Sequence, residues 1–342
     1  MRFLRWTWML GAVAVLATAA QRLDAQSVTT NPFRPIVNWG ELPAGRTFGS
    51  TSAVEIAADG NIWVVERCGA NTCVGSNVDP VLLFTKEGKL VRSFGAGKIA
   101  WPHGVDVDGA GNLWVADAWA EGATTSGHTV LKFSPEGELL MTIGEPGMRG
   151  DPPRRLTRPS DVLVAPTGEI YIVEAHDQSQ NRITKWRADG TYIETWGETG
   201  YGPKQFRDPH ALAMDSQGRI FVGDRYNNRI QIFDQTGKFL AIWTQFGRPS
   251  GIYIDENDRI YVADSESSAA PDEYMGMRNA GWEKGIRIGD ARTGWVHHFI
   301  PDDRVNVTGY SGPEGIAADD EGNLYGAEVT QRRVVKWVRF RP

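Results

Sequence analysis

Apolar and polar residues alternate with a period of two through most of this chain, the spacing that sets one face of a β-strand against a core. The runs are short and are broken by Gly, Asn and Asp, the residues of tight turns. One stretch serves as the type: Trp101-Pro102-His103-Gly104-Val105-Asp106-Val107-Asp108, a turn, then Leu113-Trp114-Val115-Ala116-Asp117. It recurs six times. The second halves of the other copies are Ile62 to Glu66, Ile170 to Glu174, Ile220 to Asp224, Ile260 to Asp264 and Leu324 to Glu328. Most copies continue with two more strands joined by an Asp-Gly, Glu-Gly or Thr-Gly turn, as in Asn181 to Trp196 and Asn228 to Trp243.

Four strands per copy and six copies predict an all-β fold, a six-bladed β-propeller. The sixth copy stops after its third strand, at Phe340. Pro35-Ile36-Val37-Asn38-Trp39-Gly40-Glu41 resembles Tyr192-Ile193-Glu194-Thr195-Trp196-Gly197-Glu198, a fourth strand. The N-terminal strand is therefore expected to complete the last blade and hide the open sheet edges. The turns between strands one and two, and three and four, are short. The long connections, such as 119–127, 144–158 and 265–285, all fall on the other face, where function is expected.

Thirteen Trp and 39 Gly suit strands joined by many tight turns. Residues 1–25 read as a signal peptide, with Arg2 and Arg5 before an apolar run and Leu23-Asp24-Ala25 at the cleavage point. The alternative is an uncleaved anchor. No later segment is apolar enough to span a bilayer, so the expectation is an exported protein, periplasmic or extracellular, with no stable membrane insertion. The net charge of −6 without a basic run argues against nucleic acid as a partner. The two cysteines, Cys68 and Cys73, are expected to form a disulfide in an oxidising compartment. Asn306-Val307-Thr308 fits a glycosylation sequon, relevant only in a eukaryotic secretory pathway.

The first strand of each blade lines the central channel. Its second residue reads, blade by blade, Ser52, His103, Ser160, His210, Ser250, Glu314. Candidate metal ligands alternate with serine, and alternate blades of six lie about 120° apart around the axis. His103, His210 and Glu314 would converge on one axial point, and two His with one Glu is a catalytic zinc set with an open position. The competing reading is a set of polar residues lining a wet channel. The alternation favours a divalent metal, with zinc ahead of iron, copper and manganese.

Arg67 and Arg225 follow the strand-two acids and could bind a substrate carboxylate, or pair with a neighbouring acid. Glu66, Asp117, Glu174, Asp224, Asp264 and Glu328 recur in every blade and read as structural, with Arg182, Arg229 and Arg333 as partners. His176 is a candidate acid or base near neutrality, or a solvated loop residue. Trp119, Tyr274, Met275, Met277 and Trp282 lie in long loops that could wall a pocket.

Pro102 to Asp108 and Asn227-Asn228-Arg229-Ile230-Gln231-Ile232-Phe233 resemble NHL repeats. Within that group the chain is similar to the peptidyl-α-hydroxyglycine α-amidating lyases over essentially its whole expected mature length. The similarity is sharpest at 113–117, 195–198, 205–213 and 224–233. It implies lyase activity on a carbinolamide-like, small-molecule or peptide-derived substrate. It implies an axial zinc held by Pro-His motifs, matched at Pro102-His103 and Pro209-His210, and functional arginines at Arg67 and Arg225. Glu314 stands where a third histidine is implied, and His176 is the nearest residue to an implied catalytic tyrosine. Gly315 replaces an Asp that would help bind a structural calcium, which makes that calcium doubtful. Two other readings stand beside the lyase. One is a non-catalytic propeller that binds a protein or small ligand on its long-loop face. The other is a calcium-dependent lactonase, which two axial histidines oppose.

Overall fold

The computed structural model describes residues 31–119, 125–176, 180–268, 271–272, 276–277, 279–304 and 310–340. The expected leader, Tyr274, Met275 and the sequon at 306–308 lie outside the described residues. Six four-stranded antiparallel sheets follow one another along the chain. Their innermost strands are Thr51–Ile56, Pro102–Val107, Pro159–Val164, Pro209–Met214, Gly251–Ile254 and Gly315–Ala318. Each packs against the next around the axis, and the sixth packs back on the first. The architecture is the expected six-bladed propeller.

Closure is also as expected. The N-terminal strand Phe33–Trp39 pairs antiparallel with Arg333–Arg339, in register Phe33 to Arg339 and Trp39 to Val334. Trp39 carries the joint. It is buried, its ring lies 5.4 Å from Phe84 of blade one and 5.1 Å from Tyr325 of blade six, and its Nε1 donates to the Lys86 carbonyl at 3.1 Å.

The second strands depart from simple alternation. Ile62–Glu66, Leu113–Asp117, Ile170–Glu174, Ile220–Asp224 and Leu324–Glu328 are buried at every residue. Adjacent blades cover both faces of these strands, so the polar side of the pattern must be satisfied internally. The terminal acids do this. Four of them draw in the loop that enters their blade through backbone N–H donors: Gly49 to Glu66 at 2.6 Å, Trp101 to Asp117 at 2.6 Å, Thr157 to Glu174 at 2.5 Å and Arg207 to Asp224 at 2.8 Å. Arg182, Arg229 and Arg333 pair with Glu174, Asp224 and Glu328 at 3.0, 2.7 and 2.6 Å.

A second set of acids ties the innermost strands together. Asp106 accepts from Val164 of the next blade at 2.6 Å, and Asp161 accepts from Leu212 at 2.8 Å. Such close approach requires glycine opposite. A Cβ on Gly104 would lie 2.0 Å from Asp161 Oδ1, and one on Gly315 would lie 2.6 Å from Ala53 Cα. No side chain, and so no calcium-binding carboxylate, fits at position 315.

Two outcomes are expected. Trp39→Ala should cost about 3–5 kcal/mol of stability, read from a denaturant midpoint. Burial pushes the Asp106 carboxyl up to about 7. The native state then keeps a proton that the unfolded chain releases above about pH 4. The stability due to that proton is complete below about pH 4 and is lost as pH rises through about 7. Between pH 5 and 8, the Tm of wild type should fall more steeply than that of Asp106→Asn; parallel curves would refute the assignment.

Candidate metal centre and active site

Proline opens the innermost strands of blades two and four, and the next residue turns its side chain onto the axis. His103 Nδ1 lies 2.5 Å from the Ser160 carbonyl, and His210 Nδ1 lies 2.6 Å from the Ser250 carbonyl. A carbonyl only accepts, so both rings carry their proton on Nδ1 and keep the Nε2 lone pair for the axis. The serine hydroxyls continue the pattern across the intervening joints. Ser52 Oγ donates to the Pro102 carbonyl at 2.8 Å, and Ser160 Oγ donates to the Pro209 carbonyl at 3.0 Å. The alternation of serine and histidine is thus one hydrogen-bonded belt running from blade to blade.

His176 joins the two axial histidines. It follows the second strand of blade three in a left-handed conformation, φ 55°, which carries the ring back over the axis. Its backbone N–H donates to Asp208 Oδ1 at 2.8 Å, its Nδ1 faces the same oxygen at 3.4 Å, and its Nε2 lies 3.1 Å from His103 Nε2. Among the described residues, His103, His176 and His210 form a group whose ligand atoms lie within 4.8 Å of one another. Ring centroids are 4.5 Å apart for His103 and His210, 4.8 Å for His103 and His176, and 5.1 Å for His176 and His210.

The sequence pattern expects Glu314 as the third ligand and His176 as a proton carrier. In the structure His176 takes the third corner, and Glu314 is not in the group. The left-handed turn after Glu174, invisible in a strand pattern, makes the difference. Glu314 lines the same axial cavity of about 400 Å³ as His103 and His210. Burial raises its pKa, and Arg225 and Arg67 oppose that rise.

The group suits a metal. Burial holds His103 and His210 well below the usual imidazole range and His176 near 4, so all three are neutral at pH 7. His210 Nε2 is buried without a hydrogen-bond partner. All three Nδ1 atoms face oxygen acceptors, the outer arrangement typical of metal-ligating histidine.

The two arginines differ. Arg225 is buried and already engaged: it pairs with Asp208, through Nε at 3.0 Å and through Nη2, and its Nη1 lies 3.1 Å from Glu266. Glu266 also accepts from Arg248 Nε at 2.7 Å. Arg67 is only 2% exposed, stacks on Trp101, donates from Nη1 to Asn71 at 2.7 Å, and leaves Nη2 without a partner. Burial lowers its pKa to about 10. Asn71 sits inside the loop closed by the Cys68–Cys73 disulfide. Sequence reasoning missed Trp101, Asp208, Arg248 and Glu266. Only the first two carried a signal, as neighbours of Pro102-His103 and Pro209-His210. Trp282 packs over Arg287 instead, at 4.8 Å. The side chain of Met277 is not described.

The NHL repeat family matches residues 206–233 and 246–269, and the N-terminal strictosidine synthase-like family matches 303–329. Human NHL repeat-containing protein 3 is 34% identical over 241 residues, 68% of this chain and 66% of that protein. A probable peptidyl-α-hydroxyglycine α-amidating lyase of Caenorhabditis elegans is 30% identical over 213 residues, 57% of this chain and 58% of that protein. The chain spans about two thirds or less of the length of these curated relatives. Among solved structures, a Xanthomonas campestris gluconolactonase superposes with a TM-score of 0.59 at 13% identity, over 93% of each chain, a likeness of fold alone. Among the described residues no helix is long and apolar enough to cross a membrane.

Glu266→Ala would leave Arg248 without its carboxylate and remove one of two from Arg225. A loss of about 3–5 kcal/mol is expected in chemical denaturation; a change under 1 kcal/mol would show that water reaches the network.

Proposed function

Because the chain is an NHL-repeat six-bladed β-propeller that resembles the peptidyl-α-hydroxyglycine α-amidating lyases, we propose that it is an exported, metal-dependent lyase acting on carbinolamide-like substrates derived from peptides or small amides. The observation that carries this reading is the convergence of His103, His176 and His210 with their Nδ1 atoms tied outward. These three would hold a divalent ion, zinc by the nature of the donor set. Lewis-acid polarisation of the substrate hydroxyl is the chemistry such an ion supplies.

The protein's own residues do the rest. Arg67, with Nη2 unpaired, binds a substrate carboxylate. Arg225, fixed between Asp208 and Glu266, supplies a buried positive charge beside the axis. His176, the expected proton carrier, serves as a ligand in this arrangement. Glu314 is the remaining axial carboxyl, available to exchange the proton. The step itself balances simply: the hydroxyl gives up its proton, its C–O bond becomes C=O, the C–N bond breaks, and the amide nitrogen takes up a proton.

Elemental analysis of purified protein should find about one divalent ion per chain, since a set of three histidines leaves one open position on a single ion. His103→Ala/His210→Ala should lose it together with conversion of N-benzoyl-α-hydroxyglycine to benzamide and glyoxylate. Stoichiometric metal retained in that double variant would refute the axial site. Glu314→Gln should keep the metal and lose most turnover; loss of metal would return Glu314 to the ligand set.

A further inference from the structure

The residue before the first Pro-His pair is a tryptophan that touches Arg67, two of the three clustered histidines and Trp119. The Arg67 guanidinium carbon lies 3.4 Å from the Trp101 ring centroid. The His103 imidazole stacks with the same indole at 5.3 Å and an interplanar angle of 28°. His176 meets it edge-on at 5.8 Å and 87°, and Trp119 at 6.0 Å and 73°.

The indole sits on a fixed backbone. The Trp101 N–H donates to Asp117 at 2.6 Å, and the Trp101 carbonyl accepts from Ala118 at 3.0 Å. The blade acid that repeats around the ring therefore sets the position of this one side chain. Arg67 has few other supports: one strong hydrogen bond, to Asn71, and a longer one of 3.4 Å from Nε to the Pro102 carbonyl. A guanidinium over an indole gains most when both are withdrawn from water, as Arg67 is.

We propose that Trp101 is a positioning residue that couples the axial histidines to Arg67, holding the guanidinium so that its unpaired Nη2 is presented to an anionic group on the substrate. The proposal rests on the metal-site reading above and adds to it a mechanical link between ligand and anion subsite. It also separates the arginines: Arg225 is held by carboxylates, whereas Arg67 is held by an aromatic face and makes no ion pair with a described residue.

The test uses the zinc-loaded protein and N-benzoylglycine, an unreactive acid, with N-benzoyl-methylamine as the probe that lacks the carboxylate. Trp101→Leu should weaken binding of the acid about tenfold, leave binding of the amide within about twofold, and retain the metal. Trp101→Phe, which keeps an aromatic face, should recover most of the loss. In a double-mutant cycle, Trp101→Leu should add little once Arg67→Lys is present. Additive losses, or equal weakening of both probes, would overturn the proposal.

A second readout is independent of these ligands. Cobalt(II) binding should quench indole emission in wild type, and Trp101→Phe should remove at least half of that quenching; equal quenching in both would also overturn the link. Should wild type bind the acid but turn over no hydroxylated substrate, the lyase reading fails while the positioning result stands. Should it bind no metal, the coupling fails with the site.

Discussion

The site depends on the hydrogen bond from an axial histidine Nδ1 to the carbonyl of a serine one blade further on. An imidazole facing a channel has two nitrogens and two tautomers. A carbonyl on the outer nitrogen removes the choice and leaves a lone pair on the inner one. The donor and acceptor belong to different blades, so the angle between blades sets the ring orientation. The serine hydroxyls fasten the intervening joints, from blade one to two and from three to four, in the same direction. Binding geometry and ring assembly are therefore one set of contacts.

Around this belt the charges are arranged to cancel. Arg225 and Arg248 are matched by Asp208 and Glu266, the charge of Glu314 opposes the fall that burial imposes on the Arg67 pKa, and the histidines are neutral. A buried centre with balanced charge tolerates burial far better than one with a single unpaired ion. It also responds strongly to any charge added, because charges interact more strongly in a buried site than in bulk water.

Most of the fold was legible in the sequence. Period-two runs, Gly turns and a copy number of six lead to blades, and the likeness of 35–41 to 192–198 leads to the closing strand. The alternation of serine with histidine at one position led to the axis. What stayed hidden was local. His176 reaches the axis because of one left-handed residue after a strand, and a strand pattern says nothing about where such a turn sends its side chain. Glu314 occupies the expected slot, yet the slot fixes only the height of a residue along the channel. Asp208 and Glu266 matter through blade-to-blade contacts, which no spacing within a blade reveals.

The closing strand has a consequence for how the molecule comes into being. Phe33 pairs with Arg339, so the first described strand waits in synthesis for the last described one. Until then, blade six lacks its outer strand and blade one lacks the Trp39 contact. Loop closure of that length is slow and leaves sheet edges available to other chains meanwhile. Pairing of Phe33–Trp39 with Arg333–Arg339 is thus the step that closes the ring and covers the open edge of blade six.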